Sequence, residues 1–446
     1  MNFSFLYKWA LLLGLLLGYV AAIFAQDTNM ERAKHVYELF VADQGDSIHA
    51  LLNEELQKKL SPVIFKGMLS QSERQFGKLQ SNGEWQKDVA QGITLYYSDL
   101  KFERYNLRFL LSFDAGGGMN TIRLMPVPAA STAETVTFDK EKMTERDITV
   151  GSEGFKLPGT LTLPAGKKKV PVVILVHGSG PQDRDETLGP NKPFRDLAWG
   201  LAERGIATVR YEKRTKVYGA ASVPEGREMD YDTEAVDDAV AIAAWAKTLP
   251  EVDADSVYVL GHSLGATLAP RIAERADGVA GVILVAALAR PFEDAIVEQM
   301  TYISSLMDSS DSAKKRIAEI RRQADNIKKL GTPEFNDTIP LLMSVPRSYW
   351  ESANAYKPVE VAFKLTLPML ILQGERDYQV TMEDFGLWRF GLMRNRNVFF
   401  KSYPKLNHLL QEGSGKATPF EYNKVSPVPG YVMDDIVLFI RSGRLQ

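Results

Sequence analysis

The chain has 446 residues, 45% hydrophobic and 24% charged, the mix of a folded globular protein; at roughly 150 residues per domain this allows about three units, fewer if one is a large α/β domain. Lys and Arg number 53 against 56 Asp and Glu, a net charge of −3, so no global basic field draws in nucleic acid or anionic lipid. The count of zero cysteines removes disulfides, thiolate metal sites, iron–sulfur clusters and a cysteine nucleophile.

Residues 1–25 have the layout of a secretory signal peptide: one cation, Lys8, an apolar run from Trp9 to Phe24, and a small-residue exit at Ala25. The run is shorter than the roughly 20 residues a spanning helix needs. Export is therefore expected, to the periplasm or beyond, with a mature chain starting at Gln26; retention as an N-terminal anchor is the alternative.

Residues 27–127 change pattern once. Val36, Leu39, Phe40, then Leu51, Leu52, Leu56 and Leu60, then Ile64, Met68 and Leu69 fall at helical spacing, with Ser61-Pro62 as a helix start. After Asn82-Gly83 the alternation becomes strand-like: Gly92 to Tyr97, Leu100 to Glu103, Leu107 to Phe113, a turn at Asp114 to Gly118, and Thr121 to Met125. Helices followed by an antiparallel meander make a small α+β domain. It resembles the NTF2/cystatin-like domains that precede some exported bacterial hydrolases. Residues 128–134, rich in Pro, Ala, Ser and Thr, read as a linker.

Residues 135–446 read as α/β. A hairpin (Ile148 to Val150, Thr160 to Leu163) leads into Val170 to Val176, an apolar run of the kind a strand buried on both faces requires. Comparable runs recur at Ile206 to Arg210, Val257 to Leu260, Val279 to Val285, Leu367 to Leu372 and Val398 to Phe400, mostly separated by helix-length segments. This alternation predicts a mainly parallel sheet with helices on both faces. The stretch from about 287 to 365 is far longer than one crossover helix and predicts a helical cap, with helices around Phe292 to Met307 and Ile317 to Ile327.

Gly261-His262-Ser263-Leu264-Gly265 lies between the strand ending at Leu260 and a helix from Ala266. This is G-x-S-x-G in a strand–turn–helix context, where a strained turn lifts the serine out of the backbone and excludes Cβ atoms on either side. Five histidines leave few candidates for a base. His35 and His49 sit in the N-terminal helices, His262 is in the elbow and is expected to point elsewhere, and His177 shapes a loop. His408, after the last strand, remains. The orienting acid should fall between serine and histidine in the chain. Asp377 is the first choice, with Glu375 and Asp384 as rivals.

Ser263, Asp377 and His408 with their flanking strands resemble the α/β-hydrolase superfamily. The run from His177 to Glu186 (HGSGPQDRDE), with Tyr211-Glu212-Lys213-Arg214, resembles the exported bacterial serine esterases related to dienelactone hydrolases and serine aminopeptidases. Dienelactone hydrolases proper use cysteine, which this chain lacks, so the resemblance implies a serine esterase and not that reaction. Tetrahedral intermediates need two converging N–H donors: Leu264 is expected to supply one and Ser179 or Gly180 the other. His177 is expected to pack and hydrogen-bond beneath that loop. Arg184, Asp185, Lys213 and Arg214 are read as a structural ion-pair network rather than a carboxylate receptor. In the cap, Met300, Tyr302, Met307, Met343, Tyr349 and Trp350 either line an acyl pocket or only pack. The expected function is hydrolysis of a small-molecule carboxylic ester through an acyl-enzyme, without metal, other cofactor or nucleic acid. A serine peptidase or acyltransferase using the same triad, or a non-catalytic cell-envelope binding protein, are the alternatives; the sequence does not give the oligomeric state.

Overall fold

The structure is a computed structural model that describes residues 28–90, 93–103, 106–127, 138–307 and 310–443. The segments expected to be a signal peptide, 1–25, and a linker, 128–134, lie outside the described residues. The chain divides into two compact units, residues 1–128 and 129–446.

In the first unit the helix Thr28–Val41 is followed by the short helices Gly45–Ala50, Glu54–Lys59 and Met68–Phe76. Ser61-Pro62 opens only a 3-10 turn, Pro62–Phe65, in which Ser61 caps the Val63 amide. Gly67, at φ +74°, then turns the backbone before a new helix begins. Five antiparallel strands follow: β1 (Leu79–Asn82), β2 (Gln86–Ala90), β3 (Ile93–Phe102), β4 (Asn106–Phe113) and β5 (Met119–Pro126). Sequence alternation breaks β3 in two at Ser98-Asp99, but the strand is continuous. Buried Ser98 donates to the Gly83 carbonyl at 2.8 Å, and Asp99 takes a two-pronged bond from Arg108 at 2.7 and 3.0 Å. The polar pair therefore belongs to the ladder. Val36 and Phe40 of the first helix and Leu100, Phe109 and Leu111 of the sheet close the core of this unit.

The second unit is built on an eight-stranded sheet. Its strands are β6 (Met143–Val150), β7 (Leu157–Pro164), β8 (Val170–Val176), β9 (Ala207–Tyr211), β10 (Val252–His262), β11 (Gly281–Val285), β12 (Met369–Gly374) and β13 (Val398–Tyr403). Their order is β13-β12-β11-β10-β8-β9-β7-β6. The β6–β7 and β7–β9 pairings are antiparallel and the rest parallel. Val172, Ile174 and Val176 of β8 enter one core while Val173 and Leu175 enter the other, which is why this strand reads as unbroken apolar sequence. Helices Pro193–Glu203 and Gly430–Ser442 cover one face; Asp237–Ala246, Leu264–Arg275 and Met382–Leu392 cover the other. This is the α/β-hydrolase fold. β10 begins at Val252, earlier than the apolar run suggests, because Asp253 and Asp255 lie in a register irregularity before Val257. At the far edge, β6 exposes Thr144 to Asp147. Three of these residues are ion-paired: Glu145 with Arg210, Arg146 with Glu251 and Asp147 with Arg184.

The insertion after β11 carries the helices Phe292–Met307, Asp311–Ile327, Arg347–Ala355 and Pro358–Lys364. Ala324, Ile327, Leu342 and Trp350 form a small core of its own, against which Phe292 and Ile296 pack.

Candidate active site

Ser263 stands between β10 and the helix Leu264–Arg275 with φ +52° and ψ −115°, a conformation that costs a non-glycine residue on the order of 1–3 kcal/mol. The flanking glycines make that turn possible. A Cβ on Gly261 would overlap the Gly265 carbonyl, and one on Gly265 would overlap the carbonyl of Val176 in β8. The Ser263 amide is tied to Val285 O of β11 at 2.9 Å. The side chain is thereby held at the carboxyl ends of the parallel strands, where α/β sheets place ligands.

His408, on the loop after β13, and Asp377, on the loop after β12, meet there: Nδ1 lies 2.7 Å from Oδ2, and both residues are buried. The other carboxylate oxygen of Asp377 accepts the amides of Gln379 and Val380 at 2.7 and 3.1 Å, and Gln373 Nε2 reaches Oδ2 at 3.4 Å. With its lone pairs so occupied, Asp377 favours an N–H at Nδ1 and leaves Nε2 of His408 as the acceptor. The rivals are engaged elsewhere. Glu375 is exposed and takes the Ser402 hydroxyl at 2.8 Å. Buried Asp384 accepts the Ala289 and Arg290 amides and binds the Arg290 guanidinium. Ser263 and His408 share the strand-end region, but no hydrogen bond joins Oγ to the ring; such bonds tighten when substrate is present.

Ser263, Leu264 and Ser179 line one cleft of about 70 Å³. Gly180 is not among its walls and instead turns the loop at φ +83°. The loop is fixed through Gly178, whose amide donates to Glu186 Oε1 at 2.6 Å and whose carbonyl accepts Lys213 Nζ at 2.7 Å. Lys213 is buried and pairs with buried Glu234 at 2.5 Å. Arg214 is held by Asp238 at 2.8 and 2.6 Å, Arg184 by Glu212 at 2.9 Å, and Asp185 by Arg210. All four predicted charged residues are thus engaged in ion pairs. His177 packs between Phe194 and Tyr211, as expected. The expected hydrogen bond is missing: neither ring nitrogen has a partner of good geometry, and burial lowers its pKa to about 4, keeping it neutral.

His262 departs from its expectation of pointing away. Its ring lies 4.7 Å from that of His408, and its Nε2 bonds the His408 carbonyl at 2.9 Å. Its Nδ1 lies 2.9 Å from Glu186 Oε2, an ionic contact bent away from ideal hydrogen-bond geometry. Burial opposes charge on both partners. On His262 the Glu186 carboxylate overrides it and raises the pKa; on Glu186 the His262 imidazole and the Gly178 amide override it and lower the pKa. Glu186 therefore ties the loop at Gly178 to the histidine that supports His408.

The cap contributes Phe292, Ala295, Ile296 and Gln299 to the cleft, with Tyr231 and Gln379 from the catalytic unit. Of the six cap residues singled out in sequence, the five with described side chains are not among these walls. Tyr349 and Trp350 are core, Trp350 stacking on Phe292 at 5.6 Å. Tyr302 packs on Tyr378, and Met300 and Met343 face outward; the side chain of Met307 lies outside the described residues. No group of three or more ligating side chains able to hold a metal occurs among the described residues.

A strand–serine–helix elbow and a buried histidine–carboxylate pair at the carboxyl ends of the parallel strands place the chain among the α/β hydrolases. The sequence profile of the serine aminopeptidase S33 family matches residues 168–412, and the chain belongs to that family. Esterase EstD of Thermotoga maritima is 34% identical over 397 residues, covering 89% of this chain and 91% of its own. Among solved structures, Est1E from Butyrivibrio proteoclasticus aligns at 18% identity over 67% of this chain and 98% of its own, with a TM-score of 0.43. The esterase domain of a Rhodothermus marinus protein aligns at 14% identity over 67% and 98%, with a TM-score of 0.41.

Proposed function

We propose that Ser263, His408 and Asp377 form a catalytic triad and that the chain cleaves small carboxylic esters through a Ser263 acyl-enzyme. That it is a carboxylic ester hydrolase rests on its family and on its similarity to Esterase EstD over nearly the whole chain. The single observation that carries the triad is the 2.7 Å contact between His408 and Asp377 at the strand ends where Ser263 is presented. His408 Nε2 takes the Ser263 proton as Oγ adds to the ester carbonyl. The developing oxyanion is received by the Leu264 amide at the start of its helix and by the Ser179 amide of the loop. Asp377 stabilises the imidazolium, which returns its proton to the departing alkoxide. Water then repeats the sequence on the acyl-enzyme. The cleft of about 70 Å³ over Ser263 suits a small group on the side of the ester bound there.

A fluorophosphonate probe should label Ser263 alone, and Ser263→Ala should lose on the order of 10⁴-fold or more in kcat on p-nitrophenyl acetate and butyrate. Ester hydrolysis by Ser263→Ala at the wild-type rate refutes the assignment. The peptidase alternative predicts higher kcat/KM on aminoacyl p-nitroanilides than on these esters. We further propose that residues 1–25 direct export and that residues 27–127 are an NTF2/cystatin-like accessory domain. N-terminal sequencing of the protein from its native cell fractions tests the first, and ester hydrolysis by a folded 133–446 fragment tests whether the site is complete without that domain.

A further inference from the structure

Beside the small cleft over Ser263 lies a chamber of about 450 Å³, within the range of small-molecule sites. The two share Tyr231, Thr267, Leu288 and Phe292 as walls, so the chamber adjoins the cleft over Ser263. Glu293, in the first turn of the helix Phe292–Met307, forms part of the chamber wall. It is 2% exposed, and its Oε2 has no hydrogen-bond partner among the described residues. A buried carboxyl oxygen left unsatisfied is costly and calls for a ligand, an ion or a function. Burial also raises the Glu293 pKa, which favours a form able both to donate and to accept a hydrogen bond.

The other walls narrow the chemistry. Arg290 and Lys328 are paired with Asp384 and Asp294, and exposed Lys357 is offset by exposed Glu360 in the same wall, so the chamber offers neither a strong anion receptor nor a strong cation receptor. Asn354 adds an amide, and the rings of Phe292 and Tyr356 add flat apolar surface. Mixed donors and acceptors beside aromatic rings suit a neutral, hydroxyl-bearing group.

We propose that the chamber is a second substrate subsite, in which Glu293 binds a hydroxyl of a polyol or sugar carried by the ester, so that hydroxyl-bearing esters are the substrate class. This rests on the Ser263 reading above and deepens it. Esters of one acyl group with matched alcohols provide the test: glyceryl against propyl butyrate, and hydroxyethyl against aminoethyl butyrate. Wild-type kcat/KM should favour the glyceryl ester by about tenfold or more, a preference that Glu293→Leu should erase and Glu293→Gln, which keeps an acceptor oxygen, should largely retain. Glu293→Met, of similar length without an acceptor, gives the same comparison if the leucine variant does not fold. In Ser263→Ala protein, calorimetric binding of glyceryl butyrate should weaken by about tenfold when Glu293→Leu is added. No hydroxyl preference, a preference unchanged in Glu293→Leu, or a faster aminoethyl than hydroxyethyl ester each overturns the proposal. Fluorophosphonate labelling of Ser263 separates the two readings: a labelled, active enzyme without hydroxyl preference refutes only the chamber, whereas turnover without a reactive Ser263 refutes the triad.

Discussion

Replacing Glu186 by Gln tests the pair beneath the active site. Glu186 is buried, accepts the Gly178 amide at 2.6 Å and faces His262 Nδ1 at 2.9 Å. Glutamine keeps the shape and an oxygen for Gly178 but loses the charge that holds the His262 imidazolium. Removing one partner of a buried ion pair costs about 3–5 kcal/mol. His262 can escape part of this by losing its proton, so about 2–3 kcal/mol is expected. At about 2.1 cal/mol/K of unfolding entropy per residue, a unit of roughly 300 residues shifts by about 1.5 °C per kcal/mol, so the catalytic unit, residues 129–446, should melt about 3–5 °C lower. The pH dependence gives the sharper signature. The raised pKa of His262 gives stability that is complete below the ordinary imidazole value and lost as pH rises through the folded one. The lowered pKa of Glu186 gives stability present above the ordinary carboxyl value and lost as pH falls through the folded one. Both contributions are complete only between about pH 4.5 and 6.5. Scanning calorimetry of both proteins from pH 5 to 9 should therefore find the largest gap near pH 5–6, narrowing toward pH 9. Because His262 also holds the His408 carbonyl, kcat/KM should fall by about tenfold through loosening of the base. Equal melting temperatures at pH 6, or a gap that widens toward pH 9, would refute the reasoning.

Asp377→Asn should lower kcat by about 10⁴-fold by favouring the wrong His408 tautomer, whereas Glu375→Gln should leave steady-state kinetics unchanged; the reverse ranking moves the acid. Gly265→Ala should fail to give soluble, folded protein, because its Cβ has no space beside the Val176 carbonyl, and a native near-UV dichroism spectrum would contradict that. Trp350→Ala should destabilise the cap by about 3–5 kcal/mol and alter KM more than kcat through Phe292, measured with denaturant titrations and a chain-length series of esters.

What sequence revealed and what it hid differ in physical kind. The elbow was legible because its backbone conformation excludes side chains, so two glycines at fixed spacing record the geometry directly. Strand β8 was legible because burial on both faces leaves no polar position. Order along the chain pointed to His408 and Asp377, and their mutual contact agrees with that order. The Glu186–His262 pair was not legible, because no periodicity links the last residue of β10 to a residue in the loop after β8. The continuity of β3 was hidden for a related reason: Ser98 and Asp99 interrupt the strand-like run until the Gly83 carbonyl and Arg108 supply their partners. In the cap, helical spacing identified the helices but not which face meets the cleft. Trp350, the largest candidate, proved to be the brace behind Phe292.

The charged edge of β6 bears on how the protein survives at high concentration. A long sheet ending in an open strand offers unpaired backbone groups to any neighbouring molecule, and association through them can begin an aggregate. Here the outermost strand carries Glu145, Arg146 and Asp147, each held by a partner from within its own catalytic unit. An approaching strand would have to bring its own side chains against this row of charges. Charge therefore guards this border, and the guard is ionic: concentrated salt, which screens exposed pairs over a few ångströms, lowers it.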